Sequence, residues 1–204
     1  RVFFLLFIYF YYYYFVKYLS FRGADASLKK LTQYFQINIF DQLILLDLSE
    51  INLQGFCGQF SGRNIFQTLR RTRTLNLAST NLLALSGTCF HGIEHNLEFL
   101  NLIPNFIESL GSHSFYGLHK IKSLNLSNVM LSKLSKFSFS SMELLKTLDI
   151  SQNNIKHLPC QVFYNLPSLR ILYLSVNHIF SVACKFSMDS TSNALDLMAS
   201  DASV

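Results

Sequence analysis

Tryptophan is absent from the 204 residues, and charge is scarce, with 17 Lys and Arg against 12 Asp and Glu. The formal net charge of +5 permits an acidic partner. No dense Lys/Arg run or nucleic-acid motif accompanies it, so nucleic acid is not expected among the partners. The four cysteines, Cys57, Cys89, Cys160 and Cys184, include no CxxC and no pair at metal-finger spacing. G-x-S-x-G, P-loop and H-E-x-x-H patterns are all missing, and the acidic residues fall singly. Of the six histidines (His91, His95, His113, His119, His157 and His178), most fall in loop or outward positions. His91 and His95 could share one side of a short helix, but no third ligand stands near them. The sequence therefore offers no catalytic residue, metal site or cofactor site, and an enzyme is not expected.

Apolar residues make up 50% of the chain, enough for a continuous core in one domain of ordinary size. The most apolar run is Val2 to Val16, VFFLLFIYFYYYYFV, which carries no charge. Its length suits the apolar part of a signal peptide, and residues 2–21 approach the length of a membrane span. Ala24-Asp25-Ala26 resembles a small-x-small cleavage site. Against both readings, consecutive tyrosines are costly at a bilayer centre. The positive charges also lie mostly after the run, at Lys17, Arg22, Lys29 and Lys30. Residues 1–22 are thus read as a signal peptide or a membrane anchor, with a low-complexity start as the remaining alternative. The chain begins with Arg1, so an incomplete or processed N-terminus is expected.

Self-similarity dominates the rest. Leu97, Ile121, Leu145 and Leu169 stand 24 residues apart. Further columns repeat with them: Leu100, Leu124, Leu148 and Leu172, then Leu102, Leu126, Ile150 and Leu174. Ile107, Leu131, Ile155 and Ile179 form another, as do Leu110, Leu134, Leu158 and Val182. Phe115, Phe139 and Phe163 follow, with Phe186 one place early. Two earlier copies begin at Leu43 and Thr72, the first enlarged by an insertion at Cys57 to Arg63. This gives residues 23–42 as a junction, 43–186 as six repeats and 187–204 as a polar tail.

The letters have a physical logic. A short strand with alternate Leu side chains inward stacks on its neighbours as a parallel sheet, about 4.8 Å per strand. No copy buries its apolar face alone, so stability comes from adjacent copies. Strands are expected near residues 46–48, 75–77, 100–102, 124–126, 148–150 and 172–174. An Asn at the turn, whose amide bonds the backbone, occurs only at Asn105, Asn153 and Asn177. Ile51, Thr80 and Val129 replace it in the other copies, where looser turns are expected.

These columns resemble the extracellular "typical" class of leucine-rich repeats, and Leu145 to Leu166, LKTLDISQNNIKHLPCQVFYNL, matches it closely. Among families, the chain looks most like a piece of a Toll-like receptor ectodomain. The resemblance implies an α/β solenoid, a horseshoe with a parallel concave sheet and an irregular or short-helical convex side. Such receptors also carry more repeats, cysteine-rich caps, a membrane helix and a signalling domain, so a fragment, truncated paralogue or secreted decoy is expected.

The concave face carries the candidate site. The residue after the first column position reads Ile44, Arg73, Glu98, Lys122, Lys146 and Arg170. Lys122, Lys146 and Arg170 form a cationic column at strand spacing, suited to a protein or anionic ligand, with a solvated charged face as the plain alternative. Tyr173, Asp149 and Asn125 could add polar contacts. Asn125-Leu126-Ser127 is a glycosylation sequon. Cys160 and Cys184 occupy one position of adjacent copies and are candidates for a disulfide, ahead of Cys57 and Cys89; free buried thiols remain the alternative. The resulting expectation is an extracellular or membrane-associated recognition module, with an intracellular protein-binding scaffold as the alternative.

Overall fold

The computed structural model describes residues 17–24, 40–57, 66–87, 89–164 and 166–182, together with the backbone of 196–198. Alternation of inward Leu and outward polar residues produces short strands with one buried residue each, flanked by more exposed ones. In chain order they are β1 (Tyr18–Ser20), β2 (Leu45–Asp47), β3 (Thr74–Asn76), β4 (Ala84–Leu85), β5 (Phe99–Asn101), β6 (Ser109–Leu110) and β7 (Ser123–Asn125). There follow β8 (Lys133–Leu134), β9 (Thr147–Asp149), β10 (His157–Leu158), β11 (Ile171–Tyr173), β12 (Ser181–Val182) and β13 (Asp196–Met198). All pairings are parallel and in column register: Leu46 opposite Leu75, Leu75 opposite Leu100, Leu124 opposite Leu148, and Leu148 opposite Leu172. The chain is therefore a solenoid, each coil one repeat. The six expected strands all form, each one residue earlier than expected and centred on the inward Leu.

Three features depart from expectation. The main ladder is divided, β1-β2-β3-β5 in one sheet and β13-β11-β9-β7 in the other, with no ladder between β5 and β7. A second ladder of two-residue strands (β4-β6-β8 and β10-β12) runs along the returning side of the coils. It carries the coils past the break, where Ser132 N donates to Glu108 O at 2.9 Å and Ser135 N to Leu110 O at 3.1 Å. At the ends, β1 pairs with β2 although it lies inside the residues 1–22 assigned to an apolar leader. Likewise β13 pairs with β11 although residues 187–204 were expected to leave the register. Both corrections have one cause: an exposed strand edge takes any short segment that satisfies its backbone groups. Residues 1–16 and Phe186 lie outside the described residues. Among the described residues no helix is long and apolar enough to cross a membrane.

The core is a stack of columns. Leu43, Leu46, Leu48, Leu75, Leu77, Leu102, Leu124, Leu126 and Leu148 are completely buried. Behind the sheet runs a ladder of phenylalanine rings: Phe90 to Phe115 at 6.4 Å, Phe115 to Phe139 at 6.0 Å, and Phe139 to Phe163 at 6.0 Å, all stacked. Parallel strands repeat at about 4.8 Å. The ring side is therefore the wider one, and the coils fan outward with the sheet on the concave side. The convex side consists of turns, with no helix among the described residues.

Buried polar groups are satisfied between coils. Asn105 Oδ1 accepts from Thr80 N at 3.1 Å and Leu82 N at 2.9 Å, while its Nδ2 donates to Leu77 O at 2.7 Å. Asn153 treats the preceding coil the same way, accepting from Val129 N at 3.1 Å and Leu131 N at 2.9 Å and donating to Leu126 O at 2.7 Å. Asn177 accepts from Ile155 N at 3.1 Å. Each amide thus closes the turn of the coil before it as well as its own, so coils with Thr80 or Val129 at this position are still held. Where no Asn follows, a backbone carbonyl substitutes: Leu53 N donates to Thr80 O at 2.8 Å.

Cys57 and Cys89 are joined, with Cα atoms 4.8 Å apart. This is the pair that the columns ranked second. Cys57 stands 14 residues after Leu43 and Cys89 17 residues after Thr72, so the two are not in one column, yet the stacked coils bring them together. Cys160 is also disulfide-bonded; Cys184, its expected partner, lies outside the described residues.

Leu148→Ala is expected to cost about 2–5 kcal/mol through lost burial and a cavity, and Lys146→Ala less than about 0.5 kcal/mol. Equal losses in urea unfolding would refute the inside and outside assignments. Replacing Cys57 and Cys89 together by Ser should cost about 3–4 kcal/mol for a loop of this separation. An unchanged unfolding midpoint under oxidising conditions would show that the bond contributes nothing.

Candidate ligand-binding face

Each coil enters its concave strand through a residue whose backbone is tied to the same position of the neighbouring coil. Arg170 N donates to Lys146 O at 2.8 Å and Lys146 N to Lys122 O at 2.7 Å. Glu98 N donates to Arg73 O, Arg73 N to Ile44 O and Ile44 N to Lys17 O, each at 2.8 Å. The expected column therefore exists and gains Lys17, which the repeat count omitted. It is broken between Glu98 and Lys122, where the sheet divides.

The side chains in this column are not equivalent. Arg73 Nη1 lies 3.7 Å from Glu98 Oε1, so part of its charge is answered within the face. Arg170 Nη1 turns back to Leu169 O at 3.1 Å and Pro167 O at 3.4 Å. Lys122 and Lys146 are exposed and have no ion pair among the described residues. They are the two cations most available to an incoming anion. Tyr173, half-buried, stands in register with Asp149, and Asp149 with Asn125.

The polar column at the ends of the strands has a structural task. Oδ1 of Asp47, Asn76, Asn101, Asn125 and Asp149 accepts the backbone N–H two residues on, at 2.9, 3.1, 3.2, 2.8 and 2.9 Å. Such side-chain turns release the chain from the strand toward the returning side. Tyr173 ends this series, because its ring has no oxygen positioned for such a turn.

Sequence reasoning missed one concave residue, Phe99. It points outward from β5 and is 64% exposed, where the neighbouring coils present Thr74 and Ser123. Reading the residue two places after the first column would have found it. It lies on the coil next to that of Lys122, at the break in the sheet.

The histidines group elsewhere. His91 Nδ1 is 3.0 Å from Glu94 Oε1, the rings of His95 and His119 stack at 6.2 Å, and His119 Nδ1 is 2.6 Å from Glu143 Oε2. Partial burial pushes the Glu143 carboxyl up, but the His119 hydrogen bond, a backbone N–H and the His119 charge outweigh it and leave it below its ordinary value. His91 and His95 sit on turns, where a short helix was considered. Among the described residues no three His, Cys, Asp or Glu side chains are placed to hold a metal ion.

A family model described as leucine rich repeat matches residues 70–131 and 122–179, more than half of the chain. The chain belongs to the leucine-rich-repeat family. No curated protein matches it in sequence. Among solved structures it is similar to one described as the crystal structure of the TLR13-ssRNA13 complex, a Toll-like receptor, with a TM-score of 0.54 and 24% identity. That likeness shows the fold. It covers 70% of this chain and 26% of the receptor chain, so the leucine-rich-repeat chain spans about a quarter of that receptor's length.

Glu98→Gln should free Arg73. The pair is exposed, so stability should change by less than about 0.5 kcal/mol, while retention on a sulfated-polysaccharide column should shift to higher salt. Unchanged elution would mean that Glu98 does not restrain Arg73.

Proposed function

We propose that this chain is a recognition module of the secretory route that binds an anionic ligand on its concave face, without catalysis. The observation that carries the reading is the pair Lys122 and Lys146, exposed side by side and unanswered by an acid among the described residues. Arg170 extends the column, and Phe99 supplies an apolar contact beside it. The disulfide between Cys57 and Cys89 supports an oxidising compartment, where such bonds persist; a reducing cytosol would open it, which counts against an intracellular scaffold. The Toll-like receptor neighbour is described in complex with single-stranded RNA. Nucleic acid therefore re-enters as one of the linear polyanions that the column could hold, although no nucleic-acid motif is present.

The test compares Lys122→Gln with Lys146→Gln, together, against Lys133→Gln with Lys156→Gln on the returning side. Both variants lose the same charge. For a single-stranded oligonucleotide probe, the concave variant should lower the slope of log affinity against log salt by about 0.7 per lysine. The control should leave it near the parent value. Equal changes in the two variants would reduce the column to a solvated face. Peptide mapping without reduction, on protein secreted from cells, tests the compartment: alkylatable Cys57 and Cys89 would count against an extracellular home.

A further inference from the structure

We propose that Asn125 is an N-glycosylation site whose glycan governs access to the basic column. The proposal rests on the secretory reading above and adds to it a modification and its consequence for binding.

Asn125 is the last residue of β7 and is exposed on the concave face. Its Oδ1 accepts the Ser127 N–H at 2.8 Å, which fixes the side chain, while its Nδ2 has no partner among the described residues. Leu126 between them is fully buried, so Asn125 and Ser127 both face away from the core. The same turn recurs at Asn76 and Asn101, but the residue two places on is Ala78 or Ile103 rather than a hydroxyl. Within this column only Asn125 combines an exposed amide with a sequon. It lies three residues beyond Lys122 and opposite Asp149, whose strand follows Lys146. A glycan there rises from the coil of Lys122, next to the coil of Lys146.

The chemistry uses a lipid-diphosphate-linked oligosaccharide as donor and a transferase of the secretory route. The Asn125 Nδ2 forms a bond to the anomeric carbon of the first sugar. The carbon–oxygen bond to the diphosphate breaks, its electron pair leaves on the phosphate oxygen, and Nδ2 gives its proton to a base of the transferase. A bulky, hydrated glycan at this point excludes a long polyanion from the column.

The experiment secretes the full chain from eukaryotic cells behind an added leader, as parent, Ser127→Ala and Ser127→Thr. Ser127→Ala removes the sequon but keeps Asn125 and the backbone N–H that it accepts. The parent and Ser127→Thr should each carry one glycan, mapped by peptide mass to Asn125, and Ser127→Ala none. On a heparin column Ser127→Ala should elute at higher salt than the parent. Parent protein trimmed to a single sugar by an endoglycosidase should shift toward Ser127→Ala. Secreted, folded parent with Asn125 unmodified overturns the site. A modified parent that elutes with Ser127→Ala overturns the gating. Should Ser127→Ala fail to fold, the trimmed and untrimmed parent give the same comparison. Alkylatable Cys57 and Cys89 in the secreted parent sink the secretory reading, and are read separately from occupancy at Asn125.

Discussion

No coil of this protein is able to bury its own apolar face, and everything else follows from that constraint. Leu46, Leu75, Leu100, Leu124, Leu148 and Leu172 are covered because each lies against the corresponding residue of a neighbouring coil. The phenylalanine ladder behind them is wider than the strand spacing, so burial and curvature come from the same residues. The concave face is what remains outside: a surface of outward side chains held at strand spacing by a core that tolerates no shift of register. A charge repeated once per coil thereby becomes a charged line.

The solenoid also has to satisfy its buried backbone, and it does so economically. One amide, such as Asn105 or Asn153, closes two turns, so the coils with Thr80 and Val129 do without. A second polar column, Asp47 through Asp149, closes the exit of these strands from the surface side. This dual position of Asn125, structural through Oδ1 and chemically open through Nδ2, is what makes a modification compatible with the fold. Likewise Cys89 lies where Ser114 and Ser138 stand in later coils, and its sulfur accepts Ser86 N at 3.0 Å as Ser138 Oγ accepts Ser135 N at 2.8 Å.

The fold class, the inward columns and the cationic column are set by periodicity, because a 24-residue register fixes which side chains stack and which face out. Lys122, Lys146 and Arg170 are legible for that reason, since their alignment needs only the repeat. Tertiary structure decided what periodicity does not encode. It paired Cys57 with Cys89, which stand at different places in their coils. It set Arg73 against Glu98 and turned Arg170 onto the carbonyls of Pro167 and Leu169, because side-chain torsions answer to local partners rather than to the repeat. It divided the sheet between β5 and β7 and left Phe99 exposed there, a matter of how two particular coils meet. It recruited β1 and β13 onto open edges from segments with no repeat signature, since a strand edge selects backbone hydrogen-bonding capacity and not side-chain identity. The sequence by itself determined the line of charge; only the packed coils decided which of those charges is free to bind.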